Sequence, residues 1–230
     1  MADSANPSRD DSHRAQRVIE AGAPLARARA AVVMLHGRGG SAADMLALAD
    51  VLAPPDLACL APQAARHSWY PYPFTAPIER NEPWLSSALR LIDRLLERLG
   101  DAGFPPERVA LLGFSQGACL GLEYAARHAR RYGGVIGLSG GLIGPEGTPR
   151  DYPGALAGTP VFLGCSDIDP HIPLARVRET TVVLSRLGGI VTERIYPGMG
   201  HLINEDEIGF ARGLLAKLVG EPSRAGPATT

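Results

Sequence analysis

The stretch 109–128, VALLGFSQGACLGLEYAARH, constrains this chain more than any other. A run suited to a buried strand leads into Gly113-Phe114-Ser115-Gln116-Gly117, and the residues beyond place Leu120, Tyr124 and their neighbours at helical spacing. Strand, sharp turn and helix in immediate succession belong to a layered α/β architecture. Glycines two positions either side of Ser115 suit a reversal so tight that side chains there would collide as strand and helix fold back on each other.

Further short apolar runs fit the same plan: 31–35 (AVVML), 57–60 (LACL), 134–138 (GVIGL), 161–164 (VFLG) and 190–196 (IVTERIY). They are unbroken rather than alternating, as in a parallel sheet covered on both faces. Helical patterns lie between them at 41–52, 116–128, 174–187 and 205–219. The clearest helix opens at Asn81 as N-cap with Pro83 in its first turn, carries Trp84, Ala88, Leu91, Ile92, Leu95, Leu96 and Leu99 on one stripe, and stops at Gly100. Residues 17–20 are read as an antiparallel edge strand. The expected fold is a single α/β domain at 16–219, a mostly parallel central sheet with helices on both faces. Residues 1–15 are polar and expected to be disordered, and 220–230 to form a flexible tail.

Composition limits the partners. With 23 basic and 24 acidic residues the net charge is −1, so no strong field favours nucleic acid or an anionic membrane. Three widely spaced cysteines, Cys59, Cys119 and Cys165, fit neither a disulfide framework nor a metal clip and are expected to be reduced and buried. The first residues lack the apolar core of a secretory signal, and no stretch approaches the roughly 20 apolar residues of a membrane span. A cytoplasmic protein without stable membrane association is expected. The sequence leaves a homodimer open.

A strand–GxSxG–helix passage is the nucleophile elbow of α/β-hydrolases, in which the serine is followed along the chain by an acid and then a histidine. The hydroxyl needs a general base, and the base needs an orienting acid. Three histidines follow Ser115. His128 falls at the end of the helix leaving the elbow, where it complements the helix dipole. His171 is too close in sequence to the neighbouring acid to serve as an independent base. His201, in the turn-rich Tyr196-Pro-Gly-Met-Gly-His201 between the last strand and last helix, is the expected base.

The acid is sought in Ser166-Asp167-Ile168-Asp169-Pro170. Spacing does not separate the two aspartates; the Asp-Pro turn favours Asp169, with Asp167 bracing the loop. The turn His36-Gly37-Arg38-Gly39-Gly40 lacks both dinucleotide and P-loop patterns. It is read as presenting the backbone N–H of Arg38, together with that of Gln116, to an oxyanion. The Arg38 guanidinium is a further element able to bias the pocket toward polar or acidic substrates. No metal-ligand spacing and no cofactor motif is found, so no metal or cofactor is expected.

With these residues assembled, the chain resembles the bacterial carboxylesterase and acyl-protein thioesterase family, also called phospholipase/carboxylesterase, over about residues 29–216. The resemblance rests on HGRGG at 36–40, Ser68-Trp69-Tyr70, GFSQG at 113–117, and SDIDPHIP with GMGH. It implies the α/β-hydrolase fold, Ser115, Asp169 and His201 as triad, and the amides of Arg38 and Gln116 as oxyanion hole. The chain departs from the family in having Arg38 where a leucine is common and Pro71 where an aspartate is common. The segment SWYPYPFT at 68–75 suggests that Trp69, Tyr70, Tyr72 and Phe74 form a rigid wall of the substrate pocket, Trp69 and Tyr70 being the substrate-binding candidates. The expected activity is hydrolysis of small-molecule carboxylic esters of small to medium acyl chain through an acyl-enzyme. The alternatives are a thioesterase acting on lipidated protein or small molecules and, more remotely, a non-catalytic ligand-binding protein on the same fold.

Overall fold

The computed structural model describes residues 11–220. Seven strands form one sheet: β1 (Val18–Gly22), β2 (Ala30–Leu35), β3 (Leu57–Pro62), β4 (Val109–Phe114), β5 (Gly134–Leu138), β6 (Pro160–Ser166) and β7 (Ile190–Tyr196). Their order is β1-β3-β2-β4-β5-β6-β7. β1 pairs antiparallel with β3, and every other pairing is parallel. Parallel neighbours require crossovers, and the helices α1 (Ala42–Leu52), α2 (Trp84–Asp101), α3 (Gln116–Arg127), α4 (Leu174–Arg186) and α5 (Glu205–Val219) lie in the segments between strands or after the last one.

Both faces of the sheet are covered, which is why the strand sequences show no polar alternation. The pleat divides β2 between two cores: Ala31, Val33 and Leu35 pack with residues of α2, α3 and α4, while Ala30, Val32 and Met34 pack with residues of α1 and α5. β4 divides the same way, with Val109 and Leu111 on one side and Ala110 and Leu112 on the other. The α2 stripe read from the sequence is core: Ala88, Leu91, Ile92, Leu95, Leu96 and Leu99 are all buried.

Two local expectations are corrected. Asn81 does not cap α2, which begins at Trp84 behind Pro83. It lies in a preceding 3-10 turn, fully buried, where its side chain accepts from the Tyr72 N–H (2.9 Å) and donates to the Pro73 carbonyl (3.3 Å). A tertiary demand of the neighbouring loop overrides its capping propensity.

The second correction concerns residues 11–15, expected to be disordered. The Ser87 hydroxyl and Arg94 guanidinium hold the Asp11 carboxylate, at 2.6 and 3.0 Å. His13 is fully buried; its Nδ1 accepts from the Ala65 N–H (3.1 Å) and its Nε2 donates to the Trp69 carbonyl (3.0 Å). Burial lowers its pKa, consistent with the neutral ring that these two bonds require. A single histidine with distant backbone partners is invisible to composition. Residues 1–10 and 221–230 lie outside the described residues.

Candidate active site

The site forms at the carboxyl ends of β4, β6 and β7, where loops of a parallel sheet converge. Ser115 stands between β4 and α3 with φ 54° and ψ −120°, a left-handed conformation costly for a residue with a Cβ. Its N–H donates to the Leu138 carbonyl at 2.9 Å and its carbonyl accepts from the Cys119 N–H at 2.9 Å, so the adjacent strand β5 and helix α3 hold the strained turn. A Cβ at Gly113 would lie 2.4 Å from the Gly117 carbonyl, and one at Gly117 would lie 2.1 Å from the Leu35 carbonyl oxygen of β2. The first glycine lets strand and helix fold closely back on each other; the second lets the helix approach a neighbouring strand.

His201 bridges the serine and an acid. Its Nε2 lies 2.8 Å from Ser115 Oγ and its Nδ1 lies 2.7 Å from Asp169 Oδ2. The other carboxylate oxygen, Oδ1, accepts from the N–H groups of His171 (2.8 Å) and Ile172 (3.0 Å). Burial alone would raise the Asp169 pKa; the bonds from His201 and the two amides outweigh it and hold the group below the ordinary carboxylate value. An ionised acid aimed at Nδ1 sets the tautomer that leaves Nε2 free to take a hydroxyl proton.

Geometry separates the two aspartates that spacing could not. Asp167 is exposed, does not contact His201, and accepts from the Gly198 N–H at 2.8 Å, tying the β6 loop to the β7 loop. Ser166 Oγ accepts from the Gly200 N–H at 3.0 Å as a second tie. Behind them Asn204 caps α5 through a reciprocal box with Glu207, fixing the chain just after His201.

The turn 36–40 is tied down rather than flexible. His36 is buried, donating from Nδ1 to the Gly37 carbonyl (2.7 Å) and accepting at Nε2 from the Ala64 N–H (3.0 Å). Burial lowers its pKa, in keeping with this neutral role. The Gly39 N–H donates to the His67 carbonyl at 2.8 Å. Arg38 and Gln116 both border the cavity beside Ser115. As the first residue of α3, Gln116 has no acceptor for its N–H within the helix.

The Arg38 guanidinium does not reach toward a ligand. It donates to the carbonyls of Pro71 and Tyr72, each at 2.8 Å, and clasps the aromatic loop to the turn. Gln116 does the same from the elbow: its Oε1 accepts from the Trp69 N–H (3.0 Å) and its Nε2 donates to the Tyr70 carbonyl (2.8 Å).

Of the four aromatic residues expected to wall the pocket, the structure brings two to the cavity and not Trp69. A cavity of about 520 Å³ opens at Ser115, and Tyr70 and Phe74 line it with Pro71 and Pro73. Trp69 does not. It is fully buried beneath the turn, its indole N–H donating to the His36 carbonyl at 2.8 Å. Tyr72 points outward under the Arg80 guanidinium, 4.1 Å from the ring centroid. The loop bends so that Tyr70-Pro71 and Pro73-Phe74 face the cavity while Trp69 and Tyr72 face away, and composition cannot say which way each turns.

Two residues near the acid escaped the sequence reading. The His171 ring packs edge-on against His201, centroids 4.9 Å apart, and lines the cavity mouth. Its proximity to Asp169 in sequence, used to set it aside as a base, is what brings its amide onto the carboxylate. Cys165 Sγ lies 3.7 Å from Asp169 Oδ2, and burial pushes its thiol up to about 12. A cysteine inside a buried strand carries no signal that would distinguish this position. His128 sits at the C-terminus of α3, stacked on Tyr124 and away from the site. Among the described residues no three His, Cys, Asp or Glu side chains converge as metal ligands would.

Comparison with known proteins gives the family. The family model described as Phospholipase/Carboxylesterase matches residues 15–219. The chain belongs to the phospholipase/carboxylesterase family. A solved member, a phospholipase/carboxylesterase from Dyadobacter fermentans, is 45% identical with a TM-score of 0.85, over 88% of this chain and 97% of that one. Acyl-protein thioesterase 1 of Gibberella zeae is 33% identical over 54% of this chain and 53% of its own length. That of Saccharomyces cerevisiae is 26% identical over 83% of this chain and 93% of its own. The match spans about half the length of the first of these two relatives. The expected α/β-hydrolase architecture is the one these family members share.

Proposed function

We propose that the protein is a serine hydrolase that cleaves carboxylic esters through an acyl-enzyme at Ser115. The observation that carries this is the continuous chain Ser115 Oγ, His201 Nε2, His201 Nδ1 and Asp169 Oδ2, with links of 2.8 and 2.7 Å. In the first step Ser115 Oγ bonds to the ester carbonyl carbon while His201 takes its proton, and the carbonyl oxygen becomes an oxyanion facing the Arg38 and Gln116 amides. The carbonyl then reforms, the carbon–oxygen bond to the alcohol breaks, and His201 gives its proton to the departing oxygen. Water repeats the sequence on the acyl-serine, releasing the acid and returning the proton to Ser115.

A cavity of about 520 Å³ with apolar walls falls within the range of small-molecule sites, which supports acyl chains of small to medium length. The relatives titled acyl-protein thioesterase favour a second reading, thioester cleavage by the same steps with a thiol leaving. Matched oxygen and thio esters decide between the two. The unpaired, buried cysteines suit a reducing compartment, which supports a cytoplasmic location. No helix among the described residues is long and apolar enough to cross a membrane.

The test is Ser115→Ala assayed on short p-nitrophenyl esters, with folding checked by circular dichroism. Turnover is expected to fall by at least about 10⁴-fold with the fold retained, and fluorophosphonate labelling to vanish. Turnover near that of the parent would overturn the assignment.

A further inference from the structure

The acid of the triad touches one side chain that the hydrolytic cycle does not use. The Asp169 side chain is fully buried. Its Oδ1 accepts from the amides of His171 and Ile172, and its Oδ2 accepts from His201 Nδ1 at 2.7 Å. Oδ2 also meets Cys165 Sγ at 3.7 Å, within the reach of a hydrogen bond to sulfur, from the last residue but one of β6.

Charge fixes the direction of this bond. Asp169 is held ionised and can only accept. The thiol is fully buried, and burial with the neighbouring carboxylate pushes it up to about 12, so it keeps its proton and donates. The fully buried Ser139 hydroxyl is next to the sulfur and, being neutral, offers the S–H no competing anion.

A donor on Oδ2 shares that oxygen with His201. It draws charge from the atom that stabilises the imidazolium, so a strong donor there makes the base weaker and a missing one makes it stronger. A thiol is a weak donor: it meets a buried lone pair while leaving most of the charge to His201. We infer that Cys165 is a positioning residue, whose S–H on Asp169 Oδ2 sets the strength of the Asp169–His201 bond and with it the readiness of His201 to take the Ser115 proton. This rests on the hydrolase reading above.

The experiment records kcat/KM against pH on one p-nitrophenyl ester for the parent, Cys165→Ala and Cys165→Val, with folding checked by circular dichroism. Valine removes the donor but keeps the strand packed; alanine also opens a gap. Activity falls on the acid side as His201 gains a proton. In both variants this limb is expected to move to higher pH, lowering kcat/KM relative to its plateau by about threefold on the acid side. The other titratable or charged groups around the triad are His171, edge-on to His201, Arg38 at the cavity, Asp167 on the Gly198 amide and Glu207 against Gly164 of β6. All are common to parent and variants, so the difference between profiles isolates the thiol.

A limb unmoved in both variants overturns the inference, and so does one that moves in Cys165→Ala alone, which would be a packing effect. A second measurement needs no change at Cys165: of the three thiol S–H stretches in the infrared, one is expected to rise in frequency in Asp169→Asn, where the acceptor loses its charge. No band moving overturns the inference as well. If the parent hydrolyses esters and takes the fluorophosphonate label while the limb stays fixed, only the Cys165 inference falls; if it does neither, the hydrolase reading falls with it.

Discussion

Ser115 has a loop system on either side, and the two were built under different rules. On one side the β6 and β7 loops bring Asp169 and His201 to it through side-chain bonds between charged and titratable groups. On the other, the loop at 63–74 reaches it through backbone atoms, held by Gln116 and Arg38 on its carbonyls and amides and by His13 and His36 from below. In the first system residue identity is the function, so each position has a chemical reason visible in the sequence. In the second, identity serves packing, and a tryptophan that resembles a pocket wall is the pillar under the turn at 36–40.

The sharpest way to break this contrast is within the acid loop. Asp169→Asn is expected to lower kcat by about 10⁴-fold, because the amide no longer sets the imidazole tautomer, while Asp167→Asn stays within about threefold. Steady-state kinetics on one ester suffices, and equal losses would mean that the acid is not specified by its contact with His201.

Next in size is Trp69→Ala on the opposite loop. Its indole packs with the buried core and its N–H holds the His36 carbonyl, so the expected effect is destabilisation by about 3–5 kcal/mol in urea unfolding. A variant of unchanged stability with an altered acyl-length profile would return Trp69 to the pocket wall.

The smallest effect concerns Glu207, which supports the His201 loop by capping α5. One carboxylate oxygen accepts the Asn204 N–H at 2.9 Å, and the other is buried without a partner among the described residues. Burial raises its pKa from 4.5 to about 7. A group raised in the folded state adds stability that is complete below its unfolded pKa and is lost as pH climbs through the folded one. Stability is therefore expected to decline between about pH 4.5 and 7. Glu207→Gln keeps the cap acceptor without the buried charge, and its Tm at pH 8 is expected to exceed the parent's by about 2–4 °C. Identical pH profiles would show that the carboxyl is solvated.

Much of the fold was legible because strand and helix patterns follow from local periodicity. β4, β5, β7 and α5 have the bounds expected from the sequence, and the edge strand expected at 17–20 is β1 at Val18–Gly22, antiparallel to β3. The misreadings share a cause. Asn81, Trp69, Tyr72 and His13 were each read from their neighbours in sequence, and each is placed by a partner outside its own segment: Tyr72 by Arg80, Asn81 by the 72–73 backbone, Trp69 by His36, His13 by Ala65 and Ser87.

Sequence by itself determined the alternation of strands and helices and the elbow at Ser115, because periodicity, turn chemistry and the glycine requirement are properties of short segments. It also narrowed the partners of Ser115 to one histidine and two aspartates. Only the tertiary structure brought Asp169 and not Asp167 to His201, and turned the Arg38 guanidinium from the pocket to the loop. Those outcomes depend on which backbone groups from distant segments arrive beside a side chain, and no local pattern encodes that.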